Sequence, residues 1–325
     1  MHIRITAIAA ALGAAITASP AGAQTDPAFA AWLTELRAEA RDAGISKQTL
    51  DASFKGVAPI ARIIELDRRQ PESTLTFEQY VDRIVSKARI DRGRARLAEH
   101  SPLLQEVAVK FGVQPRFIVA LWGIETNFGQ NTGGFSVIAA LSTLAFDGRR
   151  SKYFRGELLA ALRIVEQGHI KPENMKGSWA GAMGQSQFMP SSFVTYAYDY
   201  DGDGAKDIWN TSADVFASAA NYLSGVGWNA DITWGREVRL PEGFDPALAD
   251  IKVVKRLSEW QTLGVRRADG RDLPVRDLPA SVVYPGKVGG SAYVVYDNYR
   301  ALLRWNRSLY FATAVGLLSD KIAGR

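Results

Sequence analysis

The chain has 325 residues, 47% of them hydrophobic and 22% charged, and 39 Lys and Arg against 34 Asp and Glu give it a formal charge of +5. That size and apolar content bury a sizeable core in one large or two moderate domains and exclude disorder. The charge excess is too small to argue for nucleic acid, and no basic run carries the interleaved aromatics that would track a phosphate backbone; an anionic polymer suits it better.

In chain order, the first predicted element is a leader. His2 and Arg4 precede an apolar run over residues 5–17, and Ala21-Gly22-Ala23 offers a cleavage site before Gln24, so residues 1–23 read as a secretory signal peptide. The run is too short for a bilayer of about 30 Å, and no later stretch is long enough to span one. The chain contains no cysteine, which excludes a disulfide framework and a lipid-modified cysteine after the leader.

Residues 24–100 read as an N-terminal helical region. Phe29, Trp32, Leu33 and Leu36 fall at helical spacing, as do Phe77, Tyr80, Val81, Ile84 and Val85, with breaks at Pro59 and Pro71. Arg92, Arg94 and Arg96 read as a solvated helix face. Residues 101–235 form the central unit: a helix within 113–129 with Pro115 near its start and Gly129 after its end, then helices over 136–145, 154–167 and 213–226. Between 236 and 295 short alternating runs at 237–240, 280–284 and 291–296, set among Gly, Pro and Asp, predict a small β-containing insertion. One helix over 299–322 closes the chain, within a segment 296–325 that returns to the core.

Glu125 follows Phe117 by eight residues, Leu121 by four and Trp122 by three, so helical geometry puts its side chain on the apolar face. Desolvation there, and the negative end of the helix dipole, raise a carboxyl pKa, as a group that must deliver a proton near neutral pH requires. Periodicity alone leaves open a helix-end glutamate bonded to a neighbouring loop or exposed.

Gly123-Ile-Glu125-Thr-Asn-Phe-Gly129 resembles the motif around the catalytic glutamate of lytic murein transglycosylases. Lys176-Gly-Ser-Trp-Ala-Gly-Ala-Met-Gly-Gln-Ser-Gln187-Phe-Met-Pro-Ser-Ser-Phe193 resembles the glycine-rich segment of the membrane-bound lytic transglycosylase B family, the family-3 peptidoglycan lytic transglycosylases. The likeness continues through Asp147-Gly-Arg149-Arg150-Ser-Lys-Tyr153-Phe and Asn298-Tyr-Arg-Ala-Leu-Leu-Arg-Trp-Asn306-Arg-Ser and so covers most of the chain. It implies a mainly α fold: a lysozyme-like catalytic core with the N-terminal helical region and the small β-containing insertion. It also implies that Glu125 protonates the glycosidic oxygen between N-acetylmuramic acid (MurNAc) and N-acetylglucosamine (GlcNAc), then takes the proton of the muramoyl C6 hydroxyl. The product is a 1,6-anhydro sugar, formed without water or the second carboxylate most glycosidases use.

Position by position, the resemblance implies polar contacts from Ser178, Gln187 and Asn306, a sugar platform from Phe188 and Met189, and a groove contact from Tyr80. Tyr153, Arg149 and Arg150 are implied at the glycan and peptide side of the cleft. Trp305 stands where the family often has tyrosine, which alters a sugar-stacking contact, and the spacing from Glu125 to the arginine pair is one residue shorter than in familiar members. The lack of cysteine makes the chain similar to the soluble forms. The implied location is the periplasm, and the implied partners are peptidoglycan glycan strands and other cell-wall enzymes, with no nucleic acid and no membrane span.

The segment 199–210 carries oxygen ligands at positions 1, 3, 5 and 9 of an EF-hand-like loop, with glycine at position 6. Asp199, Asp201, Asp203, the Ala205 carbonyl and Asp207 are the candidates for a structural calcium ion; catalysis needs no cofactor. Asn210 at position 12 cannot give a bidentate carboxylate, and the resemblance makes Asp214 the closing ligand. Three histidines and no cysteine leave little for zinc or serine–histidine chemistry. The rivals are a hydrolytic muramidase, with Asp147 or Glu157 as second carboxylate, and a noncatalytic peptidoglycan-binding scaffold.

Overall fold

The computed structural model describes residues 26–68 and 75–324, so the signal peptide assigned to residues 1–23 and the break at Pro71 lie outside the described residues. From Asp26 onward, polar caps set the helix starts. Asp26 Oδ1 accepts from the Ala28 N–H (2.9 Å) at the head of Pro27–Asp42, Ser46 Oγ accepts from the Thr49 N–H (3.2 Å) at Lys47–Ser53, and Thr76 and Gln79 make a reciprocal capping box at Phe77–Ile84. Each cap satisfies an N–H that helix geometry leaves without an intrahelical partner.

The helix Lys87–Glu99 corrects the solvated arginine face. Arg96 pairs with Glu99 at the surface (2.5 Å), but Arg94 donates to the Lys321 carbonyl (2.8 and 3.2 Å), and Arg92 donates to Asn127 Oδ1 (2.8 Å) and Gln130 Oε1 (3.3 Å). The carbonyls of a last helical turn lack intrahelical donors and carry the negative end of the dipole, so a guanidinium is favoured there.

Two apolar clusters fill the helical body. One gathers Phe117 and Leu121 of Pro115–Thr126, Phe216 and Leu223 of Ser212–Gly225, and Val315 and Leu318 of Leu309–Ile322. The other joins Leu36 to Leu141 of Val137–Phe146, Leu158 of Ser151–Glu166 and Phe193 of Pro190–Tyr196. Tyr222 and Trp305 pack against both, so they mark the seam between them.

An antiparallel sheet in the order Lys255–Arg256, Pro279–Val283, Ala292–Val295, Gly235–Arg239, Arg266–Arg267 leans on the first cluster. Val283, Tyr293 and Val295 join that cluster, while Val282, Ala292 and Val294 join a third one around Trp260 and Val265. Successive strand residues point to opposite faces, so the central strands are covered on both sides and read as apolar runs rather than as alternation.

Of the two helix ends near Glu125, one differs from expectation and the other follows it. The single helix over 299–322 is two helices, Asp297–Trp305 and Leu309–Ile322. Asn306 is extended (φ −143°, ψ 123°), its Oδ1 accepts from the Ser308 N–H (3.0 Å), and Ser308 Oγ accepts from the Phe311 N–H (3.3 Å); these local bonds compete with the helix and restart it. The helix Pro115–Thr126 ends before Gly129, with Asn127 (φ 52°), Phe128 (φ 61°) and Gly129 (φ 83°) all left-handed. Gly123 makes this possible, since a Cβ there would lie 2.7 Å from the Phe128 ring folded back onto the helix.

Candidate active site

Glu125 sits in the last turn of Pro115–Thr126 beside a narrow cavity walled by Ile118, Leu121, Trp122, Phe216 and Trp305. The residue keeps some surface, but its carboxyl lies deep. Desolvation pushes its pKa up to about 7 from the ordinary 4.5, and the Trp305 Nε1–H donated to Oε1 at 2.7 Å acts the other way. Such a carboxyl holds a proton near neutrality and, once it has lost it, is basic enough to take one back. Among the described residues no second carboxylate lines the cavity. Asp147 accepts from Arg68 (2.8 Å), and Glu157 from the Ser191 N–H and hydroxyl (2.9 and 2.7 Å), so both are engaged elsewhere.

Trp305 ends the helix Asp297–Trp305 with its ring packed against Phe188 (centroids 5.3 Å) and Tyr222 (4.8 Å), and the Tyr222 hydroxyl donates to the Arg304 carbonyl (2.7 Å). Phe188 is only 3% exposed; its ring backs Trp305 from the core, which corrects its assignment as a surface sugar platform. Met189 beside it is half-buried. Tyr80 is half-buried, its ring 5.5 Å from Tyr310, and burial first and the Glu125 charge second push its hydroxyl pKa up. Tyr80 therefore feels the same charge from the opposite helix.

No sequence signal beyond its place in the glycine-rich block singles out Gln185, yet it braces the helix of Glu125. Its Oε1 accepts from Trp122 Nε1 (2.8 Å), its Nε2 donates to the Trp209 carbonyl (2.8 Å), and its own carbonyl accepts from Thr126 Oγ1 (2.9 Å). Ser178 and Gln187 hold the same block in shape: Ser178 Oγ accepts from the Ala182 N–H (3.0 Å), while Gln187, left-handed at φ 50°, donates through Nε2 to the carbonyls of Gly184 (2.9 Å) and Thr132 (3.2 Å). Asn306 is exposed at the break beside Trp305.

Tyr153 is exposed on Ser151–Glu166, next to Phe154 (centroids 5.1 Å). Arg149 and Arg150 do not stand free for a substrate carboxylate. Both pair with Asp67, which is 1% exposed, Arg149 through Nε at 2.7 Å and through Nη2 to the Asp67 carbonyl at 3.0 Å. A buried carboxylate needs such partners, and it takes up much of their charge.

In the aspartate loop three carboxylates converge. One oxygen from each of Asp199, Asp201 and Asp214 lies within 4.8 Å of the others. Asp207 Oδ1 accepts from the N–H groups of Trp209 and Asn210 (2.9 Å each), and Asp203 Oδ1 from the Ala205 N–H (2.8 Å). Asp214 is 1% exposed, accepts from the N–H groups of Tyr200 (2.8 Å) and Asp207 (2.7 Å), and has its pKa raised by burial and by Asp199 and Asp201. Three carboxylate oxygens around one point, one of them buried, fit a hard cation with oxygen ligands.

The fold is mainly α and lysozyme-like, that of enzymes that cut glycan strands. Residues 28–320 match the Transglycosylase SLT domain, and the chain belongs to that family. It is 31% identical over 253 residues to the membrane-bound lytic murein transglycosylase B of Escherichia coli (strain K12), across 75% of this chain and 67% of that protein. SltB3 from Pseudomonas aeruginosa, solved in complex with NAG-anhNAM-pentapeptide, is 44% identical with a TM-score of 0.89, over 93% of this chain and 80% of that one. The Escherichia coli lytic transglycosylase Slt35 in complex with calcium is 27% identical with a TM-score of 0.76, over 91% and 93% of the two chains. The chain is a lytic transglycosylase that acts on peptidoglycan.

Proposed function

We propose that Glu125 alone carries the proton chemistry of cleavage at the β-1,4 bond between MurNAc and GlcNAc. The observation that carries this is a carboxyl with a pKa of about 7 in a cavity whose walls, among the described residues, offer no second carboxylate. Protonated Glu125 gives its proton to the glycosidic oxygen as the C1–O bond breaks and the electron pair leaves with GlcNAc. The muramoyl C6 hydroxyl oxygen then bonds to C1, and its proton returns to Glu125. The ledger of atoms closes without water and leaves a 1,6-anhydroMurNAc end. SltB3 binds NAG-anhNAM-pentapeptide, a compound of the kind this route releases, which supports the reading for a chain 44% identical to it.

Around that centre, Tyr80, Ser178, Gln187, Met189, Trp305 and Asn306 contact the glycan, Phe188 supports Trp305 from behind, and Tyr153 with Arg149 and Arg150 forms the outer end of the groove. Asp199, Asp201 and Asp214 hold a structural calcium, a reading supported by Slt35, which binds calcium. The ion neutralises the carboxylates that crowd Asp214 and takes no part in the chemistry. Residues 1–23 direct the chain to the periplasm, where peptidoglycan lies.

The test is mass spectrometry of muropeptides released from purified sacculi by the chain from Gln24 onward, with Glu125→Gln beside it. Anhydromuramoyl products that vanish in the variant support the lyase. Products heavier by one water identify a hydrolase, and sacculus binding without release identifies a scaffold.

A further inference from the structure

We infer that Trp305 is a positioning residue that confines the working proton of Glu125 to Oε2, so that both proton transfers of the lytic reaction pass through one oxygen. The inference rests on the acid–base reading of Glu125 above and adds which oxygen does the work.

An indole N–H is a donor only. At 2.7 Å from Oε1 it occupies that oxygen as an acceptor, and because the carbonyl oxygen of a protonated carboxyl accepts better than its hydroxyl oxygen, this donor favours the proton on Oε2. A tyrosine hydroxyl, which resembles what the family often carries here, donates or accepts and imposes no such choice. The indole also has little freedom to turn away. Its ring packs against both Phe188 and Tyr222, which also touch each other (centroids 5.7 Å), its helix ends at this residue, and the Tyr222 hydroxyl holds the Arg304 carbonyl one residue before it. The break at Asn306 is what leaves the ring at a helix end, pointing into the seam between the two apolar clusters.

In the first transfer the proton therefore leaves Oε2 for the glycosidic oxygen. In the second, the C6 hydroxyl proton arrives at Oε2, and Oε1 keeps its indole partner throughout. The titratable group that faces Glu125 from Phe77–Ile84 is Tyr80, whose hydroxyl is pushed upward and stays neutral near pH 7, while Arg89 of Lys87–Glu99 acts on Tyr80. The other lining elements bring Gln185, Ser186, Val215, Phe216 and Trp305, none of which titrates near neutrality.

The experiment follows the Trp305 indole N–H by proton–nitrogen NMR, assigned by its loss in Trp305→Phe, together with the 13C carboxyl signal of Glu125, across the titration of that carboxyl. The expected result is an indole proton that stays hydrogen-bonded on both sides of the midpoint, and in Trp305→Phe a carboxyl midpoint raised by about one to two pH units, because a hydrogen bond to the carboxylate is lost. The alkaline limb of the rate profile should move up by the same amount, whatever the rate itself does, and Trp305→Tyr should bring it back toward the parent. An indole proton that reverts to its free position when Glu125 is protonated overturns the inference in the unmodified protein, even where Trp305→Phe does not fold. So does a folded Trp305→Phe with an unmoved midpoint, since a role confined to packing lowers the rate and leaves the midpoint alone. Anhydro products still formed by Glu125→Gln would instead remove the acid–base reading and leave the NMR result standing.

Discussion

At Glu125 the proposed acid role and the burial of the carboxyl bear on both rate and stability. Burial holds its pKa at about 7, so on the proposed mechanism, which starts from the protonated acid, kcat/KM is expected to fall as pH rises through about 7. Glu125→Gln should lower the rate by roughly 10²–10⁴-fold, the usual range for a positioned general acid. The same proton sets a stability trend. The folded chain binds it up to about pH 7 and the unfolded chain only up to about 4.5, so stability drops as pH rises between those values and is level above them. Expressed in full, the shift is worth about 3 kcal/mol. Denaturant unfolding should find Glu125→Gln more stable than the parent at pH 8 and level with it at pH 4.5; an equal stability difference at both pH values would show that the carboxyl is solvated after all.

At the scale of the element, the helix Pro115–Thr126 works because its last turn is held from three sides. Arg92 clamps Asn127, Gln185 clamps Trp122 and Thr126, and Phe128 folds back over Gly123. Gly123→Ala puts a methyl 2.7 Å from the Phe128 ring and should cost about 1–3 kcal/mol of stability, as overpacking does, with a loss of activity that exceeds any change in sacculus binding. Gln185→Ala strands the buried indole N–H of Trp122 and should cost about 1–3 kcal/mol by urea unfolding. If it left both stability and rate untouched, the brace between the glycine-rich block and the helix would have no mechanical role.

For the whole molecule, the aspartate loop and the cleft share a frame. Asp214 accepts from the Asp207 N–H, Asp207 from the Trp209 N–H, and the Trp209 carbonyl from Gln185, which ends at the helix of Glu125. Calcium that binds the folded chain alone stabilises it by about 2.7 kcal/mol at a hundredfold excess over Kd. For a chain of this size that corresponds to a rise in Tm of roughly 4 °C. Calorimetry with calcium against chelator should show the rise in the parent and lose it in Asp214→Asn.

Local chemistry alone made much of this legible. The helix of Glu125 was marked by Pro115 and its apolar spacing, the sheet by short runs read as alternating among Gly, Pro and Asp, and the placing of a glutamate on an apolar face by counting back to Phe117, Leu121 and Trp122. These depend on spacing within a few residues, which the backbone enforces wherever the segment lies. What spacing could not reveal were contacts between distant segments: the Trp305 donor 180 residues from Glu125, the Asp67 carboxylate that occupies Arg149 and Arg150, the burial of Phe188, and the convergence of Asp199, Asp201 and Asp214. A side chain's partner is set by which surfaces the core brings together, and burial is a property of that packing. The sequence by itself put a carboxyl on an apolar helix face; the tertiary structure decided how dry it is, and which donor holds it.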